Sequence, residues 1–268
     1  MKIIISHDVD NITTLEHTKD LIIPKAIVRG CIELFQGYIT TSELTNRFKN
    51  IINNKLHNLE ELMTFDKVNS IPSTFFVGVS NGKGLNYRAE DAKFWINKIL
   101  NEGFSVGTHG IAFNCYADIE NEYKKFRNLS GLDNFGIRIH YLRNSKETLK
   151  FLNQTGYIFD TTLYEFKNPY KIGRLWEFPL HIMDGYIINK NAQWQRYTLE
   201  QSKEETKKII TDAFNKGINY FTVLFHDNYF SDSFRTWKEW YIWLINYLKN
   251  NNFKFTNYNQ SIEELESI

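Results

Sequence analysis

The chain has 268 residues, of which 42% are hydrophobic and 16% aromatic, so it can bury a large core and lacks the composition of a disordered protein. Its 32 basic and 31 acidic side chains nearly cancel, which excludes a strong electrostatic attraction to nucleic acid or to an anionic membrane. No apolar stretch reaches the roughly 18 residues that span a bilayer, and the run Ile3–Ile5 is too short for a secretory leader. We therefore expect a cytoplasmic protein with no nucleic-acid partner and no membrane insertion.

Short β-type segments alternate with helical segments along the chain, as in βα units around a parallel sheet. The predicted strands are Lys2–His7, Ser73–Val79, Phe104–Thr108, Gly136–His140, Tyr157–Asp160, Leu175–Pro179 and Tyr220–His226. The predicted helices are Ala89–Asn101, Ile119–Leu129, Lys146–Gln154, Leu199–Lys216 and Thr236–Asn250. This order predicts one domain over residues 1–268, an irregular (β/α) barrel of about seven parallel strands.

A long connection at about residues 13–70 separates the first two predicted strands. Its helical patterns, SELTNRFKNIINN and LEELMTF, predict a helical excursion that could form one wall of a site. The last predicted helix shows a clear apolar face, formed by Trp237, Tyr241, Leu244 and Leu248. Such a face indicates a helix that covers the barrel rather than an aromatic ligand platform.

Polar side chains follow nearly every predicted strand. They are Ser6-His7-Asp8-Val9-Asp10, Gly107-Thr108-His109-Gly110, Arg138-Ile139-His140, Asp160, His181 with Asp184, and His226-Asp227-Asn228. Because active sites of β/α barrels lie at the carboxyl ends of the strands, these residues predict one site. A ring of His, Asp and Arg is typical of metal-assisted hydrolysis.

Asp8 and Asp10 are two residues apart on a strand, so their carboxylates point to the same side. Two close carboxylates raise each other's pKa unless a cation lies between them, which favours a metal ligand beside a base. The alternative is an exposed turn in which Asp10 caps a following helix.

Three further strand-end residues have possible chemical roles. His109 could bind zinc or a similar divalent ion, although single histidines are often structural. Arg138 could hold a carboxylate with its fork, or form an ordinary surface ion pair. His226 ends the apolar run YFTVLFH and could transfer protons, or could simply bond to a backbone carbonyl.

The order of these motifs resembles the polysaccharide deacetylase (NodB-homology) superfamily, and in particular its branch with His-Asp-Val-Asp and Arg-x-His-Tyr-Leu-Arg motifs. The matching segments are HDVD, STFFV, the Gly-Thr-His turn, GIRIHYLR, YIFDTTL, LWEFPLHIMDG and VLFHDN. The resemblance covers nearly the whole chain except the excursion. It implies a metal-dependent hydrolase that removes an N-acyl group, acetyl in the first place, from an amino sugar or a surface-polysaccharide precursor.

The resemblance also implies roles for individual residues. Asp8 corresponds to the general base, Arg138 to the arginine that holds it, and His226 to the acid that protonates the leaving amine. Asp10 and His109 correspond to ligands of one divalent metal, which we expect to be Zn²⁺. The residues expected in the substrate pocket are Trp176, Leu224, Asp160 and Asn228.

One position departs from the family pattern. Members of the family place a second metal-binding histidine four residues after the first, and here that residue is Phe113. His140 or His7 could supply the third ligand instead, with Asn114 a weaker candidate. Otherwise the metal site is weakened or lost.

These observations leave several alternatives to the deacetylase. A chain without its metal would be a catalytically silent carbohydrate-binding relative, and the same scaffold could also hydrolyse a formamide or an ester. An amidohydrolase-type metal barrel is disfavoured, because the first strand carries His-x-x-Asp where that group needs His-x-His.

Overall fold

The computed structural model of the chain describes residues 1–190 and 192–267. Its strands are β1 (Lys2–Val9), β2 (Thr74–Val77), β3 (Ser105–Gly110), β4 (Ile137–Ile139), β5 (Phe159–Asp160), β6 (Tyr170–Ile172), β7 (Leu175–Glu177), β8 (Ile182–Met183), β9 (Tyr220–Leu224) and β10 (Lys254–Thr256). Its α-helices are α1 (Ile22–Phe35), α2 (Thr41–Ile52), α3 (Leu59–Val68), α4 (Ala89–Asn101), α5 (Tyr116–Ser130), α6 (Thr148–Thr155), α7 (Asp184–Ile188), α8 (Leu199–Asn215), α9 (Arg235–Asn250) and α10 (Tyr258–Glu266).

The strands within the described residues form one curled sheet around β1. Their order is β6-β7-β5-β4-β3-β2-β1-β9-β8, and β10 pairs with the first residues of β1. The named neighbours pair in parallel, apart from the antiparallel pair of β6 and β7. This parallel sheet with intervening helices confirms the predicted class, an irregular β/α barrel.

Alternation along β1 separates an inner from an outer layer. Ile3, Ile5 and Val9 belong to the large core between the sheet and the helices. Ile4 belongs to a smaller cluster inside the curled sheet, together with Phe76, Phe159, Phe178, Tyr220 and Tyr258. Because successive strand residues point to opposite faces, Asp8 lies on the inner side with Ile4, and His7 lies on the outer side.

All seven predicted strands and all five predicted helices are present, and α4 has the predicted bounds. The strands not predicted, β6, β8 and β10, contain only two or three residues each, too few to show a periodic pattern. Among the described residues, no helix combines the length and the apolar character needed to cross a bilayer.

The predicted excursion folds as α1, α2 and α3. Helix α2 begins with a capping box, in which Thr40 Oγ1 accepts the backbone N–H of Glu43 and the Glu43 side chain accepts that of Thr40. Two bonds tie the excursion to the loop after β9: the Asn58 backbone N–H donates to Asp227, and Arg47 Nε donates to the Ser233 carbonyl. The excursion therefore lies at the carboxyl ends of the strands.

Candidate active site

A cavity of about 900 Å³ opens at the carboxyl ends of the strands. Asp8, Asp10, His140 and His226 line it, so it contains most of the predicted chemistry. Helix α1 also lines it, with the apolar residues Ile22, Ile23 and Ile27. The site is thus polar where the strands end, and these residues of α1 add an apolar wall.

Asp10, His109 and His140 form the most compact polar cluster of this site. Asp10 Oδ1 is 3.1 Å from His109 Nε2 and 3.2 Å from His140 Nδ1, and the two ring nitrogens are 2.9 Å apart. Zinc ligands at about 2.0–2.1 Å in a tetrahedral arrangement lie about 3.3 Å from one another. The three atoms therefore have nearly the spacing of three ligands of one ion.

In His109 and His140, the ring nitrogen that points away from Asp10 shows where the ring hydrogen lies. His109 Nδ1 is 3.1 Å from the carbonyl oxygen of Arg138, and His140 Nε2 is 3.3 Å from that of Lys83. Because a carbonyl only accepts, these nitrogens carry the hydrogens, and the lone pairs of the other two face Asp10. Two lone pairs and a carboxylate that converge need a cation between them, so the residues present fit a divalent metal.

The charges of this cluster support one another. Without a metal ion, burial opposes the charge of Asp10, but positive charge and hydrogen bonds from His140 and His109 outweigh it and hold the pKa of Asp10 well below its usual value. Burial also acts against a charged His109, whereas Asp8 and Asp10 raise the pKa of that histidine. Asp10 is therefore an ionised carboxylate, as a metal ligand requires.

Arg138 holds Asp8 from behind the site. Its fully buried guanidinium donates from Nη1 to Asp8 Oδ1 at 2.8 Å and from Nη2 to Ser6 Oγ at 2.7 Å. The other carboxylate oxygen, Oδ2, lies 3.8 Å from His109 Nε2 and thus faces the metal-type cluster. Burial raises the pKa of Asp8, but the charges of Arg138, His109 and His226 together outweigh it and lower that pKa overall, which keeps a base in its acceptor form.

Asp184 orients the ring of His226, which faces the other carboxylate oxygen of Asp10. The ring nitrogen Nδ1 of His226 donates to Asp184 Oδ1 at 2.9 Å, and the backbone N–H of His226 donates to Oδ2 at 2.7 Å. Nε2 consequently faces the site and lies 3.7 Å from Asp10 Oδ2. Burial lowers the pKa of His226, but Asp184, Asp10 and Asp8 together raise it well above its usual value.

Comparison with known proteins identifies the fold. No family model matches the sequence, and no curated protein matches it. A Mycobacterium smegmatis protein assigned as a polysaccharide deacetylase superposes with a TM-score of 0.67 at 15% identity, over 99% of this chain and 90% of that one. The chain has the polysaccharide deacetylase (NodB-homology) fold.

The polysaccharide deacetylase fold also holds proteins with other assignments. An allantoinase superposes with a TM-score of 0.61 at 10% identity, over 97% of this chain and 87% of that one. A Bacillus anthracis pseudoenzyme of carbohydrate esterase family 4 superposes with a TM-score of 0.50 at 11% identity, over 97% of this chain and 64% of that one. Activity therefore has to be argued from the side chains of the site.

The structure brings most of the predicted site residues together. They are Asp8, Asp10, His109, Arg138, His140 and His226, with Leu224 and Asn228 lining the same cavity. The third possible ligand is His140, because the register of β3 and β4 pairs His109 with Arg138 and so brings His140 to the same strand ends.

The other candidates for the third ligand lie elsewhere. His7 points into the outer layer, where its ring nitrogens face Asp66 and the Phe225 carbonyl at 2.9 and 2.8 Å. Residues 111–115 are not helical, so Phe113 is not one helical turn from His109, and its ring lies under Arg143. Asn114 is exposed. The structure thus corrects the alternative in which His7 or Asn114 completes the site.

Two expected pocket residues are also corrected. The indole N–H of Trp176 donates to Glu266 of α10 at 3.2 Å, and Trp176 does not line the described cavity. Asp160 is fully buried and pairs in register with Glu177, outside the cavity lining. In both cases the strand was predicted correctly, but the position of its side chain depended on how far the strand extends and on which face it points to.

Asp184 is the residue of the candidate site whose contact with His226 the sequence did not reveal. It was one of several polar residues near strand ends, and nothing in the chain connects it with His226, 42 residues later. Its position after an apolar run that leads into a short helix was the available signal.

Proposed function

We propose that the chain is a metal-dependent hydrolase that removes an N-acyl group, in the first place acetyl, from an amino sugar. The observation that carries this proposal is the arrangement of three sets of residues in one cavity. Three converging ligand atoms of Asp10, His109 and His140 lie between a carboxylate held by an arginine and a histidine held by an aspartate. This is the constellation of metal-assisted amide hydrolysis.

A divalent ion, with zinc the best match to two nitrogens and one oxygen, would supply Lewis acidity for the acyl oxygen and the attacking water. Asp8 accepts a proton from that water through Oδ2, while Arg138 fixes Oδ1. His226 donates a proton from Nε2 to the leaving nitrogen as the C–N bond breaks. One water and one amide thus become a carboxylic acid and a free amine.

The position of the two proton-transferring groups supports this division of roles. Asp8 is 3% exposed and has its charge balanced by Arg138, which suits a base that stays ionised. His226 has Nδ1 occupied by Asp184, so only Nε2 can exchange a proton with a substrate in the cavity. Leu224 gives the same cavity an apolar surface suited to a short acyl group.

The alternative of a silent carbohydrate-binding protein depended on a missing ligand. His140 supplies a third donor from the neighbouring strand, with its ring oriented by the Lys83 carbonyl. This favours a complete metal site and hence an active enzyme.

The test combines metal analysis with acetate release from N-acetylglucosamine and its oligomers. We expect about one equivalent of zinc or another first-row divalent metal per chain. Asp8→Asn should keep that metal but lower turnover about 10²- to 10⁴-fold, because the amide cannot accept the proton. Asp10→Asn should lower metal content and turnover together.

Two results would overturn the proposal. One is a wild-type protein that binds no divalent metal after reconstitution. The other is an Asp8→Asn variant with full turnover, since Asp8 would then not be the base that accepts the proton of the water.

A further inference from the structure

A second cluster of buried charges lies in the same cavity and has no part in the proposed hydrolysis. Arg29 of α1 donates from Nε to Glu33 Oε1 at 2.8 Å, and Arg47 of α2 donates from Nη1 to Glu33 Oε2 at 2.6 Å. The Glu33 side chain is fully buried, that of Arg47 is 8% exposed and that of Arg29 is 19% exposed. Both arginines line the cavity that holds His226.

Two guanidinium groups therefore share one hydrogen-bonded carboxylate. The Glu43 carboxylate also stabilises the charged form of Arg47. Its oxygens, however, accept the backbone N–H groups of Thr40 and Arg235 at 2.9 and 3.2 Å. Each arginine has five N–H donors, so the pair offers more donors than these carboxylates accept.

One terminal nitrogen of each arginine is left over. Within residues 1–190 and 192–267, neither Arg29 Nη2 nor Arg47 Nη2 has a hydrogen-bond partner, and both atoms are buried. Buried donors of charged groups are normally satisfied. Aromatic rings pack against the two guanidinium groups. The Phe234 ring centroid lies 4.1 Å from Arg47 Cζ, and the Trp237 ring centroid lies 5.3 Å from Arg29 Cζ. Both guanidinium groups are thus held in place, while the Nη2 donor of each remains unused.

This cluster is adjacent to the proposed catalytic groups. Arg29 Nη1 donates to the Tyr229 hydroxyl at 3.0 Å, and the Tyr229 ring lies 6.0 Å from the His226 ring. One aromatic side chain therefore separates the guanidinium from the proposed acid.

We propose that Arg29 and Arg47 form a phosphate subsite, so that the substrate is an N-acylated sugar carrying a phosphate ester. The inference rests on the proposed hydrolysis for the acylamino end of the substrate, and on the arginine pair alone for the phosphate. Guanidinium N–H groups form strong charge-assisted hydrogen bonds to phosphate oxygens, and low exposure strengthens such contacts. The phosphate could belong to a sugar phosphate, a nucleotide sugar or a lipid-linked sugar.

The first experiment measures binding to metal-free protein, so that phosphate cannot bind at the Asp10–His109–His140 cluster through a metal. Calorimetry should show that N-acetylglucosamine 1-phosphate binds at least about 10-fold more tightly than N-acetylglucosamine. Arg29→Lys and Arg47→Lys keep a positive charge beside Glu33 but lose the guanidinium group. Each should weaken the binding of the phosphorylated sugar about 10-fold or more and leave that of N-acetylglucosamine unchanged. Circular dichroism verifies that the variants are folded.

Arg235→Gln serves as the matched control. Its side chain is 68% exposed and pairs with Glu239, so this variant removes an arginine near the cluster without touching it. Its affinity for the phosphorylated sugar should equal that of the wild type. Equal binding of the two sugars to the wild type, or equal losses in Arg235→Gln and Arg47→Lys, would overturn the subsite.

Turnover separates this proposal from the function on which it rests. If phosphorylated and unphosphorylated sugars release acetate with the same kcat/KM, the result supports the proposed hydrolysis and contradicts the phosphate subsite. Alternatively, no sugar is hydrolysed, but the wild type still binds the phosphorylated sugar more tightly and the lysine variants do not. That result supports the phosphate subsite and contradicts the proposed hydrolysis. Comparing N-acetylglucosamine 1-phosphate with its uridine diphosphate ester and with a short polyprenyl phosphate ester then shows which source of phosphate is preferred.

Discussion

The two faces of β1 carry buried histidine–carboxylate clusters that differ in how their polar atoms are satisfied. On the outer face, Asp66 accepts from Ser73 Oγ and Tyr241 at 2.6 and 2.8 Å and faces His7 Nε2 at 2.9 Å. His7 Nδ1 faces a backbone carbonyl, so both ring nitrogens of His7 and both oxygens of Asp66 have partners within the protein.

On the inner face, two ring nitrogens converge on one carboxylate. The ring hydrogens of His109 and His140 are directed to backbone carbonyls, and the remaining lone pairs converge on Asp10. This inner cluster adjoins an open cavity, whereas His7 and Asp66 have no exposed side-chain surface. The comparison shows that residue type alone does not distinguish a structural cluster from a ligand site. The convergence of three ligand atoms beside an open cavity does.

The largest expected difference between the clusters concerns metal binding. His140→Ala should weaken metal affinity by at least about 100-fold, because loss of a direct ligand should cost no less than the 10- to 100-fold typical of an outer partner. Acetate release should fall with it. His7→Ala should keep the metal, yet lower the free energy of unfolding by about 2–4 kcal/mol, since it leaves a cavity and removes a hydrogen-bond partner of Asp66.

Metal analysis and urea unfolding of both variants check this prediction. If His7→Ala lost its metal while remaining folded, or if His140→Ala kept it, the assignment of the two clusters would have to be exchanged.

A smaller effect is expected from a third buried pair, Asp160 and Glu177, which lies outside the cavity. Burial raises the pKa of Asp160 to about 6, and burial together with Asp160 raises that of Glu177 well above its usual value. A raised folded-state pKa means that the folded protein binds protons more tightly than the unfolded chain. The free energy of unfolding should therefore fall as the pH rises from about 4 through 6 and beyond.

Glu177→Gln should flatten this pH dependence and make the protein more stable than the wild type at pH 8. We expect a gain of about 2 kcal/mol, because the variant no longer places two carboxylates side by side in the interior. Thermal unfolding between pH 4 and 8 measures it. Metal content should not change, and a Glu177→Gln variant that is less stable at pH 8 would show that the pair is ionised and favourable.

The smallest effect is expected at Phe113. Since His140 already completes the inner cluster and residues 111–115 are not helical, Phe113→His should leave metal affinity and turnover within about 2-fold of the wild type. Competition with a chelator provides the measurement. A clear gain in affinity would indicate that the inner cluster lacks a ligand.

Local features of this protein could be predicted from the sequence because they depend on neighbouring residues only. The two-residue spacing of Asp8 and Asp10 predicted that they share a face, and the bounds of α4 were predicted correctly. The apolar face of α9 was also predicted, and its residues Trp237, Tyr241, Leu244 and Leu248 are fully buried. Periods of 2.0 and 3.6 residues are properties of the chain itself.

Only the tertiary structure decided which distant residues meet. His140 reaches His109 because β3 pairs with β4 in one particular register, and Asp184 reaches His226 because β8 lies beside β9. Trp176 lies against α10 although its strand was predicted, and Arg29 and Arg47 meet at Glu33 because α1 packs on α2. Strand order, register and helix packing follow from the burial of the whole core, so no local pattern in the sequence contains them.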